Sequence, residues 1–250
     1  MTLPRALAAT DHRPWPLPTG PWVMAQTWHD LLFAHWPIPA ASLRRAIPPA
    51  LAIDTFDGDA WIGVVPFRMT GVRLRWTPAL PWISAFPELN VRTYVSAGGR
   101  AGIFFLSLDA GNLVAVAAAR RWFYLRYYHA RMSVVGDGDR VRYRSRRVHR
   151  RAPPAAFAGS YRPAGATFRA RAATLDHWLI ERYCLYAQSP AGRLYRAEIH
   201  HAPWPLQSAE AEIERNTMTL PHGATLPPTA PLLHFARRMD VVVWPLRLLT

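Results

Sequence analysis

The sequence predicts a mainly β protein with a few short helices (class α+β), arranged as an antiparallel barrel or a pair of stacked sheets. Tight-turn signals at residues 57–59, 98–100 and 136–138 separate runs that favour strands. Helical stretches are few, and the main one, at residues 111–123, is alanine-rich and free of proline. At 250 residues, half of them hydrophobic, the chain can bury a core without staples.

In the first half of the chain we predict one short helix and two hairpins. The helix spans residues 40–46 and stops before Pro48 and Pro49. Strands at 51–56 and 60–69 are predicted to pair across the first turn, and strands at 88–96 and 102–109 across the second. A proline-rich loop at 77–87 separates the two hairpins.

The second half is predicted to add a helix over 111–123, which Asp109 is placed to cap. The remaining predicted segments share short length and flanking turn residues. They are a hairpin of strands 127–135 and 139–148, strands at 168–172, 194–201 and 239–249, a helix at 175–182, and an acidic helix or loop at 208–216.

The chain is expected to form one domain. Residues 1–20 carry four prolines and are predicted to be an irregular N-terminal arm, and residues 21–250 a single β-barrel domain. A boundary in the loop at 150–165 is the alternative. No segment approaches the roughly 20 apolar residues of a membrane span, and the arm lacks a signal-peptide core. We therefore expect no membrane partner.

Cysteine and lysine content restricts the chemistry. The single cysteine, Cys184, excludes an internal disulfide and a cysteine-rich zinc site, and it permits a cytoplasmic location. All 30 basic residues are arginine, so no lysine is present to form a Schiff base. The histidines have no tight ligand spacing, and adjacent His200 and His201 point to opposite faces of a strand, so we expect no metal. No cofactor-binding motif is present, and we expect no cofactor.

Positive charge is concentrated in one stretch. Residues 120–171 hold 14 arginines and two aspartates, a net +12 of the formal +14. Within it, arginines at 140, 142, 144 and 146 alternate with other residues, and Arg147, Arg150 and Arg151 extend the row. This hairpin is either a solvated outer face or a patch for nucleic acid or an acidic partner.

A second row of polar side chains lies on the predicted strand at 88–96. Glu88, Asn90, Arg92 and Tyr94 alternate with apolar residues and share one face. That face is either solvated or the inside of a pocket. Inside a pocket its charges must pair, because an isolated buried ion is costly.

Three further polar residues are candidates for ligand binding. Arg68 has the fork geometry that suits an anion, although an ion pair with Glu88 or Asp109 is the structural alternative. Asp109 and Asn112 lie at the start of the predicted helix, where an anion is attracted and where a cap is the plain alternative.

Several motifs together resemble a known family. They are HWPIP (35–39), DTFDG (54–58), VPFRM (65–69), AFPELNVRTYV (85–95), FLSLD (105–109), ERYCLY (181–186) and IHHAPWPL (199–206). The chain resembles the YqjF-like family of uncharacterised proteins (domain of unknown function 2071) over about residues 22–247. That family is similar to the acetoacetate decarboxylase superfamily. The resemblance implies a β-barrel or cone around a buried pocket.

The resemblance does not imply decarboxylation. Acetoacetate decarboxylases use a lysine in a Gly-Phe-Pro-Lys-type stretch, and the match here, residues 124–127, puts Tyr127 in its place. The superfamily's pocket glutamate corresponds to Glu88. Tyrosine cannot form the iminium that this chemistry needs.

Three functions remain open at this point. The first is a pocket protein, with or without catalysis, that binds a small polar or anionic metabolite. Arg68 and Arg92 would hold the anion, Glu88 would be the acid–base group, and Tyr94 and Tyr127 would orient the ligand. Glu88 and Tyr127 are the candidate catalytic residues. The second is binding of nucleic acid or an acidic partner through residues 140–151. The third is a structural role with an occluded pocket.

Overall fold

The computed structural model describes residues 8–249, and nearly all of their regular structure is strand. The strands are β1 (Met24–Ile38), β2 (Ala52–Ile53), β3 (Ala60–Leu74), β4 (Phe86–Ala97), β5 (Arg100–Ala110), β6 (Tyr127–Asp137), β7 (Arg140–Arg147), β8 (Ala156–Phe168), β9 (Cys184–Gln188), β10 (Leu194–His200), β11 (Leu206–Asn216), β12 (Leu232–Val243) and β13 (Arg247–Leu248). The helices are α1 (Ala40–Arg44), α2 (Leu113–Trp122) and α3 (Leu175–Ile180), with a 3₁₀ turn at Leu220–His222.

The strands close into two rings that share one wall. Nine strands pair in the order β5-β6-β7-β8-β11-β12-β1-β3-β4 and return to β5. Because β10 also pairs with β12 and β9 with β5, seven strands close a second ring in the order β12-β10-β9-β5-β4-β3-β1. All pairings are antiparallel except β5 with β6 and β5 with β9. The predicted mainly β, barrel-like class is confirmed.

The shared wall has a core on each face because side chains alternate along its strands. On β4, Leu89 and Val91 pack into the core of the nine-strand ring, with Tyr143 of β7 and Phe157 of β8. Phe86 and Tyr94 lie on the other face, within the core of the seven-strand ring. Side chains of one strand therefore pack into the interiors of both rings.

Some predicted elements are wrong. The strand predicted at 51–56 shrinks to β2, which pairs with β4 and not with β3, so the first hairpin does not form. Residues 208–216 belong to strand β11 and not to a helix or loop. Ala209, Ala211 and Ile213 pack against the core, whereas the glutamates between them point outward, which is a strand period. The long strands β1 and β8 were not predicted.

Strand β8 occupies the region that was the alternative domain boundary. It covers much of the loop at 150–165 that was the alternative boundary, and it pairs with both β7 and β11. One domain over residues 21–250 remains a prediction. Residues 1–7 of the predicted arm lie outside the described residues. Residues 8–20 contain no strand, and Arg13 is buried there against Glu198. No helix within the described part of the chain is long and apolar enough to cross a membrane.

Gly102 allows β9 to approach β5. A Cβ at Gly102 would lie 2.6 Å from Sγ and 2.7 Å from the carbonyl oxygen of Cys184. We expect Gly102→Ala to lower the free energy of unfolding by about 1–3 kcal/mol, because β9 must move away from a close-packed wall. Gly136→Ala is the matched control, since nothing lies within 4 Å of its Cβ position. Equal urea midpoints for the two variants would contradict this packing.

Candidate functional site

A cavity of about 410 Å³ lies inside the seven-strand ring. Its walls come from β1, β3, β4 and β5, from β9, β10 and β12, and from the inner face of α2. Most of the lining is apolar and includes Phe33, Phe67, Leu108, Ile199 and Trp204. The lining residues in the loop between β3 and β4 (77–83) and on helix α2 are exposed or partly exposed, so we place the mouth of the cavity there. Concave apolar sites with a few polar groups are typical of small-molecule binding.

The polar groups in this cavity come largely from one strand. Glu88, Asn90 and Arg92 of β4 all line it, and each is less than 7% exposed. They point inward because Leu89 and Val91, the residues between them, face the opposite core. Phe67 and Gly63 of β3 pair with Glu88 and Arg92, which fixes the register of the row.

Glu88 is held by a tyrosine. The hydroxyl of Tyr127 donates a 2.7 Å hydrogen bond to Oε2 of Glu88, and both side chains line the cavity. Burial raises the pKa of Glu88 to about 8, against the opposing effect of this hydrogen bond, and the charge of Asp109 raises it further. At neutral pH the carboxyl group therefore holds a proton.

Arg92 occupies the far end of the row. One of its terminal nitrogens donates to the carbonyl oxygen of Leu179 at 3.2 Å and to the hydroxyl of Tyr94 at 3.4 Å. The guanidinium lies over the ring of Phe33, 5.1 Å from its centre. Arg92 forms no ion pair with any residue from 8 to 249, although it is buried. Its charge is therefore not neutralised by a neighbouring carboxylate.

Arg182, which the sequence reasoning did not select, is the second cation of the cavity. It follows α3, and its Nη1 donates to Asp54 at 2.6 Å while its Nε donates to the carbonyl oxygen of Trp178 at 2.6 Å. Burial lowers its pKa, the Asp54 charge raises it, and the nearby Arg92 charge lowers it. Of these two buried guanidiniums, only that of Arg182 pairs with a carboxylate among the described residues.

Four side chains of the cavity wall also keep a buried polar atom that no described residue satisfies. They are Nε of Arg92, Nη2 of Arg182, Nε1 of Trp204 and Oδ1 of Asn90. Three of these atoms are N–H donors. Because an unsatisfied buried donor costs about 1–3 kcal/mol, an oxygen ligand that reached these donors would relieve that cost.

Tyr94, predicted as a ligand-binding residue, is fully buried behind this wall. Its hydroxyl makes a 2.7 Å hydrogen bond with Nε2 of His35, and Arg182 stacks on its ring at 4.9 Å. Burial, and then the Arg92 charge, lowers the pKa of His35 well below its usual value. Tyr94 therefore supports both arginines from behind and does not line the cavity.

The structure places the other three predicted ligand-binding residues away from the cavity. Arg68 points outward from β3 and pairs with Asp30 at 3.1 Å, not with Glu88 or Asp109. Asp109 is buried in β5 and binds Arg147, so it is not the cap of α2. Asn112 is that cap: its side-chain oxygen accepts from the backbone N–H groups of Val114 and Ala115.

The arginine-rich hairpin also differs from its prediction at one residue. On β7, Arg142, Arg144 and Arg146 are exposed, as expected of an outer face. Arg147 does not extend that face, because the alternation turns it inward onto Asp109. On the outer face, Arg142 pairs with Asp137 at 3.0 Å, and Arg144 lies 4.0 Å from Glu214. Acidic residues thus partly neutralise the patch.

Sequence comparison identifies relatives along most of the chain. Residues 25–240 match the family DUF2071, described as an uncharacterized conserved protein. The chain is 49% identical over 231 residues to the uncharacterized protein YqjF of Bacillus subtilis (strain 168), covering 92% of this chain and 94% of that protein.

Structural comparison finds the same fold at low sequence identity. The enduracididine biosynthesis enzyme MppR complexed with pyruvate has a TM-score of 0.63 and 12% identity, over 96% of this chain and 93% of that one. The acetoacetate decarboxylase of Legionella pneumophila has a TM-score of 0.61 and 12% identity, over 96% and 93%. This likeness is one of fold. The chain belongs to the DUF2071 family and has the acetoacetate decarboxylase-like fold.

Proposed function

We propose that this protein binds an organic acid in the cavity and holds a neutral carboxyl group, that of Glu88, ready to exchange a proton with it. The observation that carries the proposal is a pair of buried guanidiniums in this cavity: Arg182 pairs with Asp54, whereas Arg92 pairs with no carboxylate among the described residues. A buried charge without a counter-ion is costly, and a bound carboxylate supplies one.

The free donors support the same ligand. Nε of Arg92 and Nη2 of Arg182 have no hydrogen-bond partner and belong to side chains that line the cavity, so a carboxylate that reaches them would accept from both without displacing an existing bond. MppR, which has the same fold, has been solved with pyruvate, itself a small carboxylate. That agreement supports an acid as the ligand, in addition to the contacts of Arg92 and Arg182.

Glu88 gives the site its chemical capacity. A carboxyl group with a pKa near 8 can donate a proton to a ligand oxygen and take it back near neutral pH. Tyr127 fixes its orientation through the 2.7 Å hydrogen bond. Any reaction here proceeds without a lysine Schiff base, because the chain has no lysine.

The alternative of nucleic-acid binding has weaker support. The exposed arginines of β7 lie beside Asp137 and Glu214, which reduce the positive potential of that face. The third possibility, an occluded pocket without a ligand, is one outcome of the experiment below.

Arg92→Gln tests the proposal, with octanoate as the probe in isothermal titration calorimetry. Losing a buried charged partner typically costs 2–5 kcal/mol of binding, so we expect affinity to fall by roughly 30-fold or more. Arg68→Gln is the matched control, since Arg68 is an exposed arginine of the adjacent strand, and it should change affinity less than twofold. Equal binding by both variants, or no binding by the unaltered protein, would refute the proposal.

A further inference from the structure

We propose that the acid is an amphiphile: its carboxylate lies at Arg92 and Arg182, and an apolar chain of about eight to twelve carbons runs from there toward the mouth. This rests on the proposed function and adds the class of ligand. The orientation follows from where the polar and apolar parts of the cavity lie along β4.

The depth of the cavity can be estimated along strand β4. Phe86 begins the strand, directly after the loop that forms the mouth, and Arg92 follows six residues further in. At about 3.4 Å per residue, the anion-binding end lies roughly 20 Å from the mouth. A ligand held at Arg92 must be long to reach solvent.

The volume sets an upper limit on the chain. A cavity of about 410 Å³ holds roughly 14 non-hydrogen atoms if each takes about 30 Å³, the share of a water molecule in the liquid. A two- or three-carbon acid would occupy only the polar end. The remaining wall is apolar, and its burial against a hydrocarbon chain is favourable.

The mouth is apolar as well. Of ten large hydrophobic side chains that are exposed in residues 8–249, seven lie in residues 74–82 and 113–122, the two segments around the opening. Four of them line the cavity itself: Leu74, Leu80, Val114 and Trp122. An exposed apolar patch that is continuous with an apolar cavity is typical of a binding site for an apolar ligand. The distal end of the chain would point toward this patch.

Between the two ends, the ligand passes Glu88 and Asn90. Neither carries charge at neutral pH, since burial holds the proton on Glu88, so a hydrocarbon chain can lie beside them. An oxygen substituent on that chain would meet Asn90 or the Glu88–Tyr127 pair. This part of the cavity can therefore bind an unsubstituted fatty acid. In a fatty acid with an oxygen substituent, the proton donor would lie next to that oxygen.

Chain length is the test, with butanoate, hexanoate, octanoate and decanoate titrated below their micellar concentrations. Each added methylene should tighten binding about three- to fourfold, so decanoate should bind more than about 100-fold tighter than butanoate. Dissociation constants within threefold of each other across the series would overturn the inference.

A second variant locates the chain. Ala118 lines the cavity on α2, and its neighbour Ala117 is exposed and does not. Ala118→Trp should weaken decanoate at least tenfold and leave butanoate within twofold, whereas Ala117→Trp should change neither. Equal weakening of both acids by Ala118→Trp would place the chain elsewhere.

The two proposals fail in different ways. If Arg92→Gln weakens every acid but chain length has no effect, the acid site stands and the amphiphile is wrong. If no acid binds at any length, the proposed function itself fails.

Discussion

Replacing Arg147 with methionine is expected to lower the free energy of unfolding by about 3–5 kcal/mol, because it leaves a buried carboxylate unpaired. Nε of Arg147 donates to both oxygens of Asp109, at 3.1 and 3.0 Å, and Nη2 donates at 2.6 Å. The side chains are 1% and 0% exposed. Urea denaturation followed by tryptophan fluorescence measures the change.

Arg146→Met is the control for this variant. Arg146 is the preceding residue on β7 and points to solvent, so its loss should change stability by less than about 0.5 kcal/mol. The pair of variants has equal change in net charge and in side-chain type. Two equal, small effects would show that the Asp109–Arg147 pair does not hold β5 to β7.

The second large effect is a dependence of stability on pH that Glu88→Gln removes. The pKa of Glu88 is 4.5 for a free side chain and about 8 in the fold, so between these values the native state holds a proton that the unfolded chain has lost. Stability must therefore fall as pH rises from about 5 to 9, by up to a few kcal/mol from this group. Glutamine keeps the shape without the titration.

The measurement compares urea unfolding of the two proteins from pH 5 to pH 9. We expect the unaltered protein to lose stability relative to Glu88→Gln as pH rises. Glu212→Gln, an exposed change on β11, should follow the unaltered protein. If the curves for Glu88→Gln and the unaltered protein stay parallel, Glu88 is not protonated in the fold.

The strongest success of the sequence reasoning was the alternation of residues 88–95. It grouped Glu88, Asn90, Arg92 and Tyr94 on one face, and the structure has that face inside the seven-strand ring. The two-residue alternation of a strand depends only on its own sequence, so it can be predicted without knowing the partner strands. The pattern of a single strand does not show which of its two faces is buried. On β4 both faces are buried.

The failures follow from contacts distant in sequence. Arg182 enters the cavity because Asp54, 128 residues away, and Trp178 orient it, and no spacing rule joins the three. Arg68 turns outward because Asp30 of β1, a strand that was not predicted, accepts from it. Residues 208–216 contain helix-forming alanine and glutamate, but pairing with β8 overrides that propensity.

The central claim is that the buried arginines form an anion site within the cavity, and a crystal structure with octanoate tests it most directly. We predict that the carboxylate lies within about 3.2 Å of guanidinium nitrogens of both Arg92 and Arg182, at hydrogen-bonding distance. Octanoate density only on the outer arginines of β7, or a carboxylate turned to solvent at the mouth, would contradict it.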